Sequence, residues 1–160
     1  IAVIVESLKQ GGKLMLCGNG GSAADCQHIA AEFTGRFIQD RRPLAAMALT
    51  TCTSALTCIS NDYSFTKVFS RQIEAIGREN DVLIAISTSG NSENVIEAIK
   101  IAKLFGIKVI GFLGRDGGEI VSLCDVAIVV ESKVTARIQE AHILIGHTIC
   151  GAVENILIEK

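Results

Sequence analysis

Asp81-Val82-Leu83-Ile84-Ala85-Ile86 runs without a break into Ser87-Thr88-Ser89-Gly90-Asn91-Ser92. After Asp81 every position to Ile86 is apolar, the pattern of a strand covered on both faces. The next six residues are small and rich in hydroxyls. From Ser92 to Phe105 apolar residues recur at helical spacing, and Gly106 follows as a stop signal. Strand, loop and helix in this order form half of a parallel β-α-β unit. The same order repeats on either side. Lys13 to Cys17 reads as a strand, Gly18 to Ser22 as a loop, and Ser22 to Phe37 as an Ala-rich helix. Ala45 to Thr50, Ile107 to Leu113 and Val126 to Val130 supply three more strands. Ile1 to Gln10, Thr53 to Ser60, Phe65 to Gly77, Glu119 to Cys124 and a long closing stretch from Thr135 to Lys160 read as helices. Five apolar strands separated by helices predict a doubly wound, three-layer α/β domain with a parallel sheet. In such domains ligands bind beyond the carboxyl ends of the strands, where both conspicuous loops lie.

The bulk numbers fit one domain spanning residues 1–160. The length is 160 residues, hydrophobic residues make up 49 % and the formal net charge is −2. No basic excess points to nucleic acid, and with no Trp and 4 % aromatics a base-stacking platform is not expected. No apolar run reaches a membrane span, and no signal peptide is recognisable. The chain opens on Ile1, inside a helical pattern, so an N-terminal piece is expected to be missing. None of the six cysteines forms a CxxC pair, and several sit in apolar runs, which predicts reduced core thiols in a cytoplasmic protein.

The two loops are candidate phosphate sites. Ser87, Thr88, Ser89 and Ser92 place four hydroxyls at a helix N-terminus, where backbone N–H groups and the helix dipole favour an anion. Helix capping needs one such hydroxyl, not four. Neither loop carries Lys, so a neutral cradle for a phosphate monoester is expected. Nucleotides fit less well. Gly18, Gly20 and Ala23 match a dinucleotide fingerprint, but Thr50-Thr51-Cys52 stands where a ribose-binding acid is needed, and no Gly-Lys-Ser/Thr occurs.

Two helices carry the side chains for chemistry. His28 and Glu32, four residues apart, share one helix face, as an active pair or as a surface salt bridge. In the closing helix Gln139, Glu140, His142 and His147 are the polar members of an apolar stretch; a lone His there is usually a satisfied core residue. Spacing favours Glu140 as the partner of His147, since seven residues nearly eclipse, whereas Gln139 is offset by about 80°. A carboxylate, an imidazole and a phosphate anchor suit proton transfer beside a carbonyl, as in aldose–ketose isomerisation. A Lewis-acid metal could polarise the two oxygens of the enediol.

Several segments together resemble the phosphoheptose isomerase family: Cys17 to Asp25, Gln27-His28, Ala31-Glu32, Thr34-Gly35-Arg36, Asn61-Asp62-Tyr63, Ile86 to Ser92, Gly114 to Gly118 and Thr135 to His142. The resemblance spans essentially the whole chain, although Ser87 to Ser92 alone marks only the broader sugar isomerase (SIS) domain. It implies a five-stranded flavodoxin-like fold and a homotetramer with interfacial sites. It also implies conversion of sedoheptulose 7-phosphate to D-glycero-D-manno-heptose 7-phosphate, toward the heptose of lipopolysaccharide or related surface glycans. By motif, Glu32 would be the base and His147 the acid. Ser22, Ser87, Thr88, Ser89 and Ser92 would hold the phosphate, and Asn19, Gly20, Asp62 and Gln139 would position the sugar. In zinc-containing members the ligands would be His28, Glu32, Gln139 and His147, so the resemblance favours Gln139 over Glu140 beside His147. The chain departs from the pattern at Cys52, where Asp is common, and at Ser132-Lys133-Val134, where acidic residues are common.

Two other classes share the fold. A replication-initiation regulator binding a protein partner would lack the catalytic Glu and final His, which this chain keeps. A sugar-phosphate sensor in a transcription factor would carry a DNA-binding element, and no helix-turn-helix pattern is present.

Overall fold

The computed structural model describes residues 1–158. Helix α1 (Ala2–Lys9) leads to β1 (Leu14–Gly18), α2 (Gly21–Thr34) and β2 (Ala46–Ala48). Then come α3 (Thr53–Asp62), a 3₁₀ turn (Phe65–Lys67), α4 (Ser70–Ile76) and β3 (Val82–Ser87). The chain continues through α5 (Glu93–Leu104), β4 (Lys108–Gly114), a second 3₁₀ turn (Ile120–Leu123), β5 (Val126–Val130) and α6 (Thr135–Leu157). All five strands are parallel, in the order β2-β1-β3-β4-β5. The order reverses between β1 and β3, which opens a crevice at their carboxyl ends. The loops after these two strands are the two candidate phosphate loops.

The side-chain alternation of a strand splits the core in two. Leu14, Leu16, Ile84 and Ile86 face α1, α2 and α6, packing with Ile4, Ile29, Phe33, Ile149 and Val153. Met15, Cys17, Leu83 and Ala85 face α4 and α5, packing with Phe69, Ile73, Val95 and Ile99. Burial on both faces is why β1 and β3 read as unbroken apolar runs. The edge strands β2 and β5 are only partly buried. No helix among the described residues is long and apolar enough to cross a membrane.

Several elements differ from expectation. The helix expected to reach Phe37 stops at Thr34, because Gly35 N closes the last turn on Ala31 O and the next backbone N–H groups bond elsewhere. The helix expected over Phe65 to Gly77 is broken, because Val68, Phe69 and Ser70 are all buried and consecutive buried residues do not fit one helix face. Ala45 to Thr50 shortens to the three residues of β2, and Glu119 to Cys124 to a 3₁₀ turn. The closing helix runs to Leu157; the expected residues 159–160 lie outside those described.

Candidate active site

The loop after β1 turns on Gly20, whose φ of +56° is left-handed, and whose carbonyl accepts from Ala23 N and Ala24 N. Asn19 and Asn94 exchange amide hydrogen bonds of 2.8 Å in both directions, tying this loop to the first turn of α5. Ser22 is buried at the start of α2. Buried Asn94 carried no signal in the sequence, because an Asn inside an amphipathic helix usually faces solvent.

The second loop is organised by its own hydroxyls. Ser87 Oγ is buried, accepts from Gly90 N at 3.1 Å, and lies 2.9 Å from Ser92 Oγ and 3.3 Å from Ser89 Oγ. Ser89 Oγ also accepts from Asn91 N at 3.1 Å. Ser92 occupies the N-cap position of α5 yet makes no capping bond with its side chain. The plain capping explanation therefore does not account for this hydroxyl, and the first turn of α5 keeps its partial positive charge beside the cluster. Thr88 is half-buried beside them. A cavity of about 780 Å³ opens past Ser89 and is walled by Asn91, Arg115, Asp116, Glu131 and Lys133. Arg115 holds a left-handed φ of +59°, a strained backbone for a non-glycine residue.

Helices α2 and α6 bring His28, Glu32 and His147 together, with ligand atoms all within 4.8 Å of one another. His28 Nε2 lies 2.8 Å from His147 Nε2 and 3.5 Å from Glu32 Oε1. The two imidazole nitrogens are close enough to share one proton, one donating and the other accepting. Phe37 stacks on the His147 ring at 5.6 Å between centroids. Gln139 lies apart from this group, at the opposite, N-terminal end of α2, where bare Gly21 admits its amide. Two imidazoles and a carboxylate at this spacing suit a divalent transition metal.

Other polar candidates separate from this group. Glu140, favoured by spacing as the partner of His147, is exposed and pairs with Arg137 at 2.7 Å. His142 is fully buried, and its Nε2 donates to Leu113 O at 3.1 Å; burial pulls its pKa below the usual imidazole value. Asp62 is exposed at the end of α3 and, among the described residues, accepts only from Asn61 Nδ2, at 2.8 Å. Asp25, one turn before His28 on α2, was not singled out as a site residue. Burial pushes its carboxyl up, against the pull of His142, His28 and His147. Cys17, Cys26 and Cys150 are core thiols as expected, but Cys52 and Cys58 are exposed.

The SIS-domain family pattern matches residues 1–114. A phosphoheptose isomerase of Aliarcobacter butzleri is 59 % identical over 155 residues, covering 97 % of this chain and 82 % of that protein. The structure of a Neisseria gonorrhoeae phosphoheptose isomerase superposes with a TM-score of 0.91 at 52 % identity, over 96 % of this chain and 82 % of that one. One from Francisella tularensis gives 0.93 at 37 % identity over the same shares, 96 % and 82 %. The chain belongs to the SIS-domain family and, within it, to the phosphoheptose isomerases.

Proposed function

We propose that this chain, a single SIS domain over residues 1–160, interconverts sedoheptulose 7-phosphate and D-glycero-D-manno-heptose 7-phosphate through a cis-enediol. The observation that carries the reading is the meeting of Glu32 and His147, brought together from two helices distant in sequence. Glu32 takes the proton from C1 of the ketose. The C1–H electron pair forms the C1–C2 double bond, and the carbonyl pair moves onto O2, which takes a proton from His147. In the second half the imidazole takes the O1 proton, C1 becomes the aldehyde, and Glu32 returns its proton to C2. No redox cofactor or nucleotide is needed, because the electrons only change places within the sugar.

Ser22, Ser87, Thr88, Ser89 and Ser92 hold the phosphate, aided by the N-terminus of α5. Asn19, Gly20, Asp62 and Gln139 position the sugar. His28, Glu32, Gln139 and His147 would hold a zinc ion, which when bound supplies Lewis-acid polarisation of the sugar oxygens. The enzyme works as a homotetramer with interfacial sites. Support comes from α3, which buries no residue of its own, and from Tyr63, Phe65, Leu144 and Ile156, large apolar side chains on the surface. A cytoplasmic location, feeding lipopolysaccharide or another surface heptose, agrees with six unpaired cysteines.

The test is conversion of sedoheptulose 7-phosphate in deuterated water, followed by NMR, with Glu32→Gln in parallel. Aldose formation that Glu32→Gln lowers by about 10²–10⁴-fold supports the base assignment. Absence of turnover by the folded full-length protein, with and without zinc, overturns the heptose reading.

A further inference from the structure

Glu154 plays no part in the chemistry above, yet among the described residues it is the most heavily bonded carboxylate. It is 1 % exposed, near the end of α6. Its oxygens accept from Phe37 N at 3.0 Å and from Ile38 N and Gln39 N at 2.9 Å each. Arg41 Nε donates a fourth bond at 3.0 Å. These donors outweigh the cost of burial and hold the carboxyl below its usual range.

Two consequences reach the candidate active site. The three N–H groups belong to the segment just past α2, and they fix its turn. That turn places the Phe37 ring against His147, with interplanar angle 29°, and over bare Gly151 one turn further along α6. The Arg41 guanidinium caps the end of α2, donating to the carbonyls of Glu32 at 2.8 Å, Phe33 at 3.0 Å and Gly35 at 3.3 Å. One buried carboxylate therefore holds both the ring that packs on the acid and the helix end that carries the base.

We propose that Glu154 is a positioning residue for the isomerisation, acting through Phe37 on His147 and through Arg41 on Glu32. The proposal rests on the catalytic reading of Glu32 and His147. Glu154 touches no substrate in it; what it supplies is fixed geometry around groups that must transfer protons over short distances.

The experiment uses the full-length protein, selectively ¹³C-labelled at histidine, with Phe37→Leu and Glu154→Gln variants. Steady-state kinetics on sedoheptulose 7-phosphate are read beside melting temperature and the His147 ring resonances, assigned by His147→Gln. Phe37→Leu leaves the Glu154 bonds intact. It is expected to lower kcat about 10-fold with KM changed less than about threefold, and to move the His147 resonances as the ring current is lost. Glu154→Gln is expected to lower kcat by about 10–100-fold and to move the same resonances, although residue 154 does not touch His147. A purely structural Glu154 would lower the melting temperature while both kcat and the His147 resonances stayed at parental values; that result overturns the proposal. If Glu154→Gln does not fold, Phe37→Leu decides alone, and parental kcat in it overturns the proposal. Full turnover by Glu32→Gln and His147→Gln would instead sink the catalytic reading and the proposal that rests on it. Loss of turnover in those two, with Phe37→Leu and Glu154→Gln unaffected, would sink only the positioning role.

Discussion

Glu32 on α2 and Glu154 on α6 lie at opposite ends of the same small assembly, and their surroundings differ in one respect that matters. The Glu32 side chain is 22 % exposed, and the nearest side chain that can pair with it is a single imidazole at 3.5 Å. Glu154 is enclosed, with three backbone donors and a guanidinium on its two oxygens. A carboxylate that must take a proton from carbon needs a lone pair free to face the substrate. One whose lone pairs are committed to four donors cannot serve as a base, but it can hold its donors rigidly. The contrast separates a group poised to react from a group built to fix geometry.

The contrast breaks first at the half-exposed cluster. His147→Gln is expected to lower kcat by about 10²–10⁴-fold, since it removes the acid while leaving a polar side chain of similar reach. Its melting temperature should stay near parental, because His147 is not a core residue. A large loss of stability with little loss of rate would assign His147 to the scaffold and erase the distinction.

At the enclosed end the order of effects reverses. Arg41→Met leaves Glu154 with its three N–H donors but no countercharge, and removal of one partner from a buried pair costs about 3–5 kcal/mol. Urea unfolding checks this; a cost below about 1 kcal/mol would mean that the backbone donors suffice alone. The pH dependence carries a definite sign. The Glu154 carboxyl sits below its usual range in the folded protein, so its contribution is fully present above the unfolded value of about 4.3. It is lost as pH falls through the lower folded value. The parent should therefore lose stability in acid more steeply than Glu154→Gln, and parallel acid profiles would contradict the assignment.

The same contrast explains what could be read before the structure was in view. The sheet was legible because β1 and β3 are buried on both faces, so their apolar runs are unbroken. The serine loop was legible because its polar residues are consecutive in the chain. The pairing of His28 with Glu32 followed from helical spacing, and the structure keeps it. The Glu154 assembly was hidden because three of its four donors are backbone N–H groups, which every residue but proline possesses. An expected helix over Ser22 to Phe37 also claimed part of that segment. Asn94 and Asp25 were hidden for a related reason: each looks like an ordinary polar residue on an amphipathic helix, and only the packed neighbours show otherwise.

The smallest expected effect is the sharpest check on spacing arguments. Glu140 is seven residues before His147, and Glu154 is seven residues after it, so an ideal helix places all three along nearly one line. Line-up on a helix says nothing about what packs against each turn. At Glu154 the neighbour is the segment past α2, which supplies four donors. Glu140 is exposed, and its carboxylate pairs with Arg137 on its own helix at 2.7 Å. Such an exposed pair contributes less than about 1 kcal/mol. Glu140→Gln should accordingly leave kcat within about twofold and the melting temperature nearly unchanged. A 10-fold fall in kcat would restore Glu140 as the partner of His147, and Gln139, whose amide rests on Gly21, would lose its place in the site.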